Sequence, residues 1–168
     1  SDVTERKQIE QSLRFTQFTF DKAAMGIYHI ASDARISNVN KQAAADLGYT
    51  IEELSSMSIF DIDPLVNKDN WEEIWQNLCR TGFDKLETIH KRKDGKEIPV
   101  EITSNLLEYE GRQFSVAFVQ DIADRKHAEN ELKFLRNYLA NMIDSMPSTI
   151  IGIDLKKNVT QWNKGAEK

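Results

Sequence analysis

Few side chains in this 168-residue chain are of a kind that does chemistry: three histidines, His29, His90 and His127, and a single cysteine, Cys79. Nucleophilic catalysis needs a Ser or Cys held against a base, and no Ser-His-Asp or Cys-His arrangement can be assembled from these residues. The acid pairs Glu52-Glu53 and Glu72-Glu73 read as solvated helix surface rather than as general acids or bases. Cys79 cannot form an internal disulfide, and there is no Cys-x-x-Cys spacing for metal or haem attachment, which fits a reducing compartment. It lies beside an apolar helical stripe and is read as a packed, neutral thiol. His127, followed by Ala128-Glu129, reads as an exposed residue of a charged helix. With no catalytic residue and no metal ligand to assign, the chain reads as a non-enzymatic component of a longer protein.

Apolar residues make up 40% of the chain, enough for a core, and the length suits one domain with additional helix. A net charge of −5 argues against nucleic acid, because phosphate recognition needs clustered Lys and Arg. The basic groups Arg6-Lys7, Lys91-Arg92-Lys93 and Arg125-Lys126 are short and flanked by acids, as solvated turns and helix ends are. No apolar run approaches the ~20 residues that cross a bilayer, and no signal peptide is visible. The expected setting is cytoplasmic, without direct membrane contact, for a parent that can still be anchored elsewhere.

Several elements must carry these residues. Residues 2–21 predict a charged helix, with Asp2 as cap and Glu5 completing a capping-box-like pair. Residues 27–30 and 36–39 are short strands around a turn at 32–35. Asn40 caps a helix over 41–47 that stops at Gly48, and Thr50 with Glu53 opens another helical turn. Residues 55–66 are irregular around Pro64. Asp69 or Asn70 caps an amphipathic helix with Trp71, Ile74, Trp75 and Leu78 on one face, ending at Gly82. Three strands follow at 83–91, 98–109 and 114–120. Asp94-Gly95 and Glu110-Gly111 supply the tight turns between them.

Residues 124–146 are helical again. Ala128, Leu132, Leu135, Leu139, Met142 and Met146 alternate steps of four and three, a heptad seam on a rod of roughly 35 Å ended by Pro147. The chain also repeats itself. Asp2-Val3-Thr4-Glu5-Arg6-Lys7 returns as Asp121-Ile122-Ala123-Asp124-Arg125-Lys126, and the strand pair before Asn40-Lys41 returns before Asn163-Lys164. The copies are 119 residues apart at the helix start and 123 at the strands, so the second connector is longer by four residues, about one helical turn.

This order, with His90-Lys91-Arg92-Lys93-Asp94-Gly95, Pro99-Val100-Glu101-Ile102 and the run from Phe118 to Lys126, resembles the PAS domain with its C-terminal PAC segment, as found in repeats of bacterial sensor histidine kinases and diguanylate cyclases. The resemblance implies an α+β fold, a five-stranded antiparallel sheet with short helices on one face and connector helices at both ends. It implies a connector over 1–14, the PAS domain over 15–126, a heptad connector over 127–146 and the opening strands of a second, truncated repeat over 147–168. Those strands would expose pairing edges, so they are expected to dock on a neighbouring chain or on the first module.

The resemblance also implies sensing and relay, with catalysis in another part of the parent. A small ligand or partner would be detected and the change passed through Asp121, Ile122, Ala123 and Arg125. The recipient would be a homodimer packed along Ala128, Leu132, Leu135, Leu139 and Met142, leading to adjacent repeats and an output domain, most simply a histidine kinase. Ala123 stands where the family exit commonly has Thr, as Thr4 does in the first copy, so a hydroxyl contact is missing there. A ligand-free dimerisation and spacer module and a noncovalent flavin redox sensor are the alternatives.

In the family, alternate residues of the last strand face a cavity, which here gives Ser115, Ala117 and Val119. Trp71, Trp75, His29, Thr103 and Asn105 complete the candidate pocket, although Trp71 and Trp75 read first as core filling between helix and sheet and His29 as a satisfied or half-exposed imidazole. The alternation of Glu101, Thr103 and Asn105 with Val100, Ile102 and Leu106 equally allows that polar set to face water. His90 is read as a surface residue. Covalent flavin chemistry lacks its cysteine around residues 56–60, and haem lacks an axial His over 67–82. Noncovalent flavin stays open because 75–82 loosely matches a Trp-x-x-Leu-x-x-Gly stretch. A small organic ligand or none is the expectation, and neither a kinase phosphoacceptor run nor a cyclic-dinucleotide motif is found.

Overall fold

The computed structural model describes residues 2–146, 148 and 150–163, with the backbone alone for residues 2–4 and 161. The expected Asp2 cap, the Pro147 stop and the tail residues 164–168 lie outside that description. The chain divides into two compact units, Ser1–Ala123 and Asp124–Lys168.

The first unit opens with α1 (Asp2–Lys22), followed by β1 (Gly26–Ala31) and β2 (Ile36–Val39). Four helices come next: α2 (Lys41–Leu47), α3 (Ile51–Ser55), α4 (Ile59–Ile62) and α5 (Lys68–Thr81). A meander of β3 (Phe83–Lys91), β4 (Glu97–Tyr109) and β5 (Arg112–Asp121) closes it. The sheet order is β2-β1-β5-β4-β3 with every neighbouring pair antiparallel, so the last strand lies beside the first at its centre. This is the expected α+β class with its five-stranded sheet.

Local chemistry sets the helix limits. The Thr50 hydroxyl accepts from the Glu53 N–H while the Glu53 carboxylate accepts from the Thr50 N–H, opening α3. Gly48 ends α2 at φ 76°, where a side chain would be strained. The cap of α5 is Asn67, not Asp69 or Asn70: its Oδ1 accepts from both of their N–H groups, and the Asn70 side chain reaches back to the Asn67 N–H. The stretch read as irregular holds α4, whose Asp61 carboxylate accepts from the Ser58 N–H and hydroxyl. The core lies between the sheet and α2–α5, built on Tyr28, Ile36, Val39, Leu47, Leu54, Ile62 and Val100.

One buried side chain ties the entry helix to this core. Asn40 Oδ1 accepts from the Ile27 and Ala43 N–H groups, and its Nδ2 donates to the Phe20 and Met25 carbonyls. Four hydrogen bonds thus join the last turn of α1, the start of β1 and the start of α2.

The second unit holds α6 (Ala123–Ser145), which begins at the boundary, and the hairpin of β6 (Ile151–Ile153) and β7 (Val159–Trp162). The helix stops at Ser145, so Met146 falls just beyond it. Leu132, Leu135, Leu139 and Met142 are exposed along α6. No helix among the described residues is long and apolar enough to cross a membrane.

Candidate functional site

A cavity of about 260 Å³ lies between the sheet and the helical layer of the first unit. Helix α5 supplies Trp71, Ile74, Trp75 and Leu78 to one wall, and β5 supplies Ser115, Ala117 and Val119 to the other. Tyr28 and Ile30 of β1, Ile102 and Ser104 of β4, and Asp63, Asp84, Glu87, Thr88 and His90 are among the other lining residues. The apolar stripe of α5 explains its wall: the four residues recur at three- and four-residue spacing and so share one helix face. The Trp71 indole N–H donates to the Ser32 carbonyl at 2.7 Å, which fastens α5 to the β1–β2 turn.

The structure therefore brings together Trp71, Trp75, Ser115, Ala117 and Val119 from the sequence candidates, and leaves three others outside the cavity. His29 points to the opposite sheet face, its ring 5.6 Å from that of Phe20 and 5.8 Å from that of Phe114. That burial pushes its pKa below the ordinary value. Thr103 and Asn105 are half-buried on the same far face, because Ile102 and Ser104 take the inward positions opposite Val119 and Ala117. Cys79, read as packed, is exposed, one residue round the helix from Leu78, with Sγ 3.9 Å from Gln113 Oε1.

His90 is the largest correction. Expected at the surface, it is 2% exposed, with its ring 6.1 Å from the Tyr28 ring, edge to face. Burial lowers its pKa to about 4, so the imidazole is neutral at neutral pH. The signal for it was in the hairpin. Pairing across Asp94-Gly95 sets Thr88 opposite Val100 and His90 opposite Ile98, and directly paired residues share a face. Two inward apolar residues on β4 thus place two polar residues of β3 inside.

Nearby groups adjust to the low polarity. Burial pushes the Asp63 carboxyl above the usual range, although it accepts from the Leu65 N–H at 2.9 Å and the Thr88 hydroxyl at 3.0 Å. The Tyr28 phenol is pushed up by burial and then by the negative charge of Asp46. This arrangement offers hydrogen bonds and apolar surface and no nucleophile–base pair. Among the described residues, no group of three or more His, Cys, Asp or Glu is placed to hold a metal ion.

The cavity wall on β5 leads to the exit of the unit. The Ile122 N–H donates to the Pro99 carbonyl at 3.0 Å, and Ile122 is buried. The Asp121 carboxylate accepts from the Ala123 N–H at 2.7 Å and so caps the start of α6. Arg125, one turn on, approaches Glu129 at 4.0 Å on the same helix.

A family model for the PAS domain matches residues 23–124. Among characterised proteins, the chain is 28% identical over 95 residues to the methyl sulfide methyltransferase-associated sensor of Methanosarcina acetivorans, covering 55% of this chain and 9% of that protein. It is 24% identical over 137 residues to sporulation kinase E of Bacillus subtilis, covering 78% of this chain and 18% of that one. It thus spans less than a fifth of the length of either. Among solved structures, it resembles the PAS domain of an HTR-like protein from Haloarcula marismortui, with a TM-score of 0.67 and 24% identity over 71% of this chain and 98% of that one. With a domain match over more than half its residues and the five-stranded order to go with it, the chain belongs to the PAS domain family of sensory, non-catalytic modules.

Proposed function

We propose that this PAS domain senses a small molecule in the cavity and passes the change from β5 through Asp121, Ile122 and Ala123 into α6. The observation that carries this reading is that one strand does both jobs. Ser115, Ala117 and Val119 form the cavity wall, and the same strand ends at the residue that caps the connector. A ligand that alters packing between α5 and β5 therefore acts on the exit with no further intermediary. Small shifts between packed elements resolve into discrete arrangements that a downstream helix can report.

In this proposal α6 pairs in parallel with a second copy along Ala128, Leu132, Leu135, Leu139 and Met142. The longer parent carries an output domain, in this proposal a histidine kinase, a reading supported by the likeness to sporulation kinase E as far as a kinase. Residues 150–163 open a second PAS repeat. Single cysteines at Leu132 or Leu135, in a Cys79→Ser background, should crosslink two chains, and failure at every seam position would refute the parallel pairing.

A flavin sensor is the weaker alternative, because 260 Å³ lies below the roughly 300–1,000 Å³ of sites that hold drug-sized molecules. An absorption spectrum with native mass spectrometry of the purified protein tests the main reading. The expected result is a colourless protein that carries or takes up a small organic molecule. A flavin band would support the redox alternative, and a ligand-free protein that takes up nothing would support a spacer role.

A further inference from the structure

Asp63 is 2% exposed and lines the cavity. The donors that hold its carboxyl, the Leu65 N–H at 2.9 Å and the Thr88 hydroxyl at 3.0 Å, are both neutral. A buried carboxylate is ordinarily paired with a cation. No Lys or Arg lines this cavity, whereas Asp84 and Glu87 do. Lys85, which follows Asp84, pairs instead with Glu101 at 3.0 Å. The lining thus carries charge of one sign among apolar walls, and such a cleft concentrates cations.

A second observation points to the same end of the cavity. Both ring nitrogens of His90 are buried without a partner in the protein, and the residue is 2% exposed. His90 and Thr88 are alternate residues on one face of β3, about 7 Å apart along the strand, and Thr88 is the residue bonded to Asp63. A neutral imidazole keeps one bare nitrogen, an acceptor that an ammonium N–H satisfies. Ser115 Oγ is unpaired too, but it lies opposite Leu106 while His90 lies opposite Ile98, too far along β4 for one small molecule to meet both.

The tryptophans supply the rest of the wall. The Trp71 ring is 5.9 Å from that of Trp75, and 6.2 Å from that of Phe60 on α4, the helix that ends at Asp63. An indole face attracts a cation, and more strongly away from water. This apolar surface suits an organic cation rather than a hydrated metal ion. The 260 Å³ have room for about nine groups the size of water at ~30 Å³ each.

We infer that the sensed molecule is a small organic cation, its charged group held by Asp63 with His90 as a second acceptor, and its apolar body against the tryptophan wall. This rests on the cavity being the sensory site. Four probes of similar size separate the possibilities: benzylammonium (cation), benzyl alcohol (neutral), benzoate (anion) and toluene (no hydrogen bonds). Binding is read at neutral pH by tryptophan fluorescence and by thermal shift of the full 168-residue chain.

Benzylammonium should bind at least tenfold more tightly than the other three. Asp63→Asn keeps the size of the side chain and an oxygen for the Leu65 N–H, and should bring benzylammonium down to the affinity of benzyl alcohol. His90→Phe should weaken benzylammonium about tenfold, the effect of one hydrogen bond to a charged group. Toluene binding shows that each variant retains its cavity. Where Asp63→Asn does not fold, the wild-type ratio of benzylammonium to benzyl alcohol decides together with His90→Phe. Benzyl alcohol or benzoate binding as tightly as benzylammonium would overturn the inference and leave the cavity reading standing. So would a benzylammonium affinity unchanged in Asp63→Asn or in His90→Phe. If none of the four binds, the cavity is not the sensory site, and this inference falls with that reading.

Discussion

Between β1 and β2, Tyr28 pairs with Val39, His29 with Asn38 and Ile30 with Ile36 across a bulge. Between β6 and β7, each partner recurs 123 residues later: Ile151 with Trp162, Gly152 with Gln161 and Ile153 with Val159, with the bulge at the matching step. Each turn holds one non-glycine residue in the left-handed region, Ala34 at φ 68° and Lys157 at φ 67°. Each hairpin is fastened by an asparagine. Asn163 Oδ1 accepts from the Ile150 N–H, and its Nδ2 donates to the Ile143 and Ser148 carbonyls, as Asn40 does at Ile27, Phe20 and Met25. Burial is what separates them. Tyr28, Ile30, Ile36 and Val39 are 1–7% exposed, whereas Ile151, Ile153, Val159 and Trp162 are 54–64% exposed. Pairing, bulge, turn and clamp are therefore set by local sequence, while the core of the first copy comes from α2–α5 and β3–β5.

Removing the clamp breaks the comparison most severely. Asn40→Ala deletes four hydrogen bonds, two buried and two part-buried, and should cost about 4 kcal/mol, at about 1 kcal/mol each. Urea unfolding followed through Trp71 and Trp75 should show this loss. Asn163→Ala should leave that transition within about 0.5 kcal/mol of the parent, because it fastens a hairpin with no core to lose. Equal losses would mean that the second hairpin is as integrated as the first.

Acid sharpens the same contrast. His90 covers Tyr28 in the first copy, while Ile151, the counterpart of Tyr28, is exposed. The folded-state pKa of His90 is lowered to about 4, against an unfolded value near 6.5. Below about pH 6.5 the unfolded chain binds a proton that the folded protein does not, so stability falls as pH drops towards 4, by up to about 3 kcal/mol. Asp63, with its carboxyl pushed up by burial, titrates with the opposite sign and offsets part of this. The measured quantity is therefore the difference between wild type and His90→Phe. Wild-type stability should fall more steeply than the variant's between pH 6.5 and 4, and parallel profiles would remove His90 from the account.

What could be read from the sequence divides along the same line. The caps at Asn40 and Thr50, the Asp94-Gly95 turn and the four-residue excess in the second connector are short-range patterns. The 123-residue register reaches back to Phe20 and Ile143, which places the extra turn upstream in α6. The inward or outward sense of His29, His90, Ser104 and Thr103 depends instead on partners several strands away. Alternation fixes which residues share a face and not which face is covered. The cap of α5 shows the limit even for local signals. Asn67, Asp69 and Asn70 compete within four positions, and the choice falls with the Asn70 amide, which donates to the Leu65 carbonyl.

The smallest effect is also the most discriminating, because one substitution should stabilise one copy and not the other. A Cβ in the left-handed region costs roughly 1–2 kcal/mol, and glycine removes that strain at an entropic cost of about 0.5–1 kcal/mol. At exposed Lys157 nothing else changes, so Lys157→Gly should slow amide exchange across β6–β7 by up to about fivefold, a gain below about 1 kcal/mol. Ala34 has the same torsion but a fully buried methyl group beneath the segment that leads into α4, where its carbonyl accepts from the Ile59 N–H. Deleting that methyl forfeits about 0.8 kcal/mol of burial and opens a void besides. Ala34→Gly should therefore be neutral or mildly destabilising by urea unfolding. A gain at Ala34 equal to that at Lys157 would show that the torsion outweighs the core, and burial would no longer explain why the same hairpin behaves differently in its two settings.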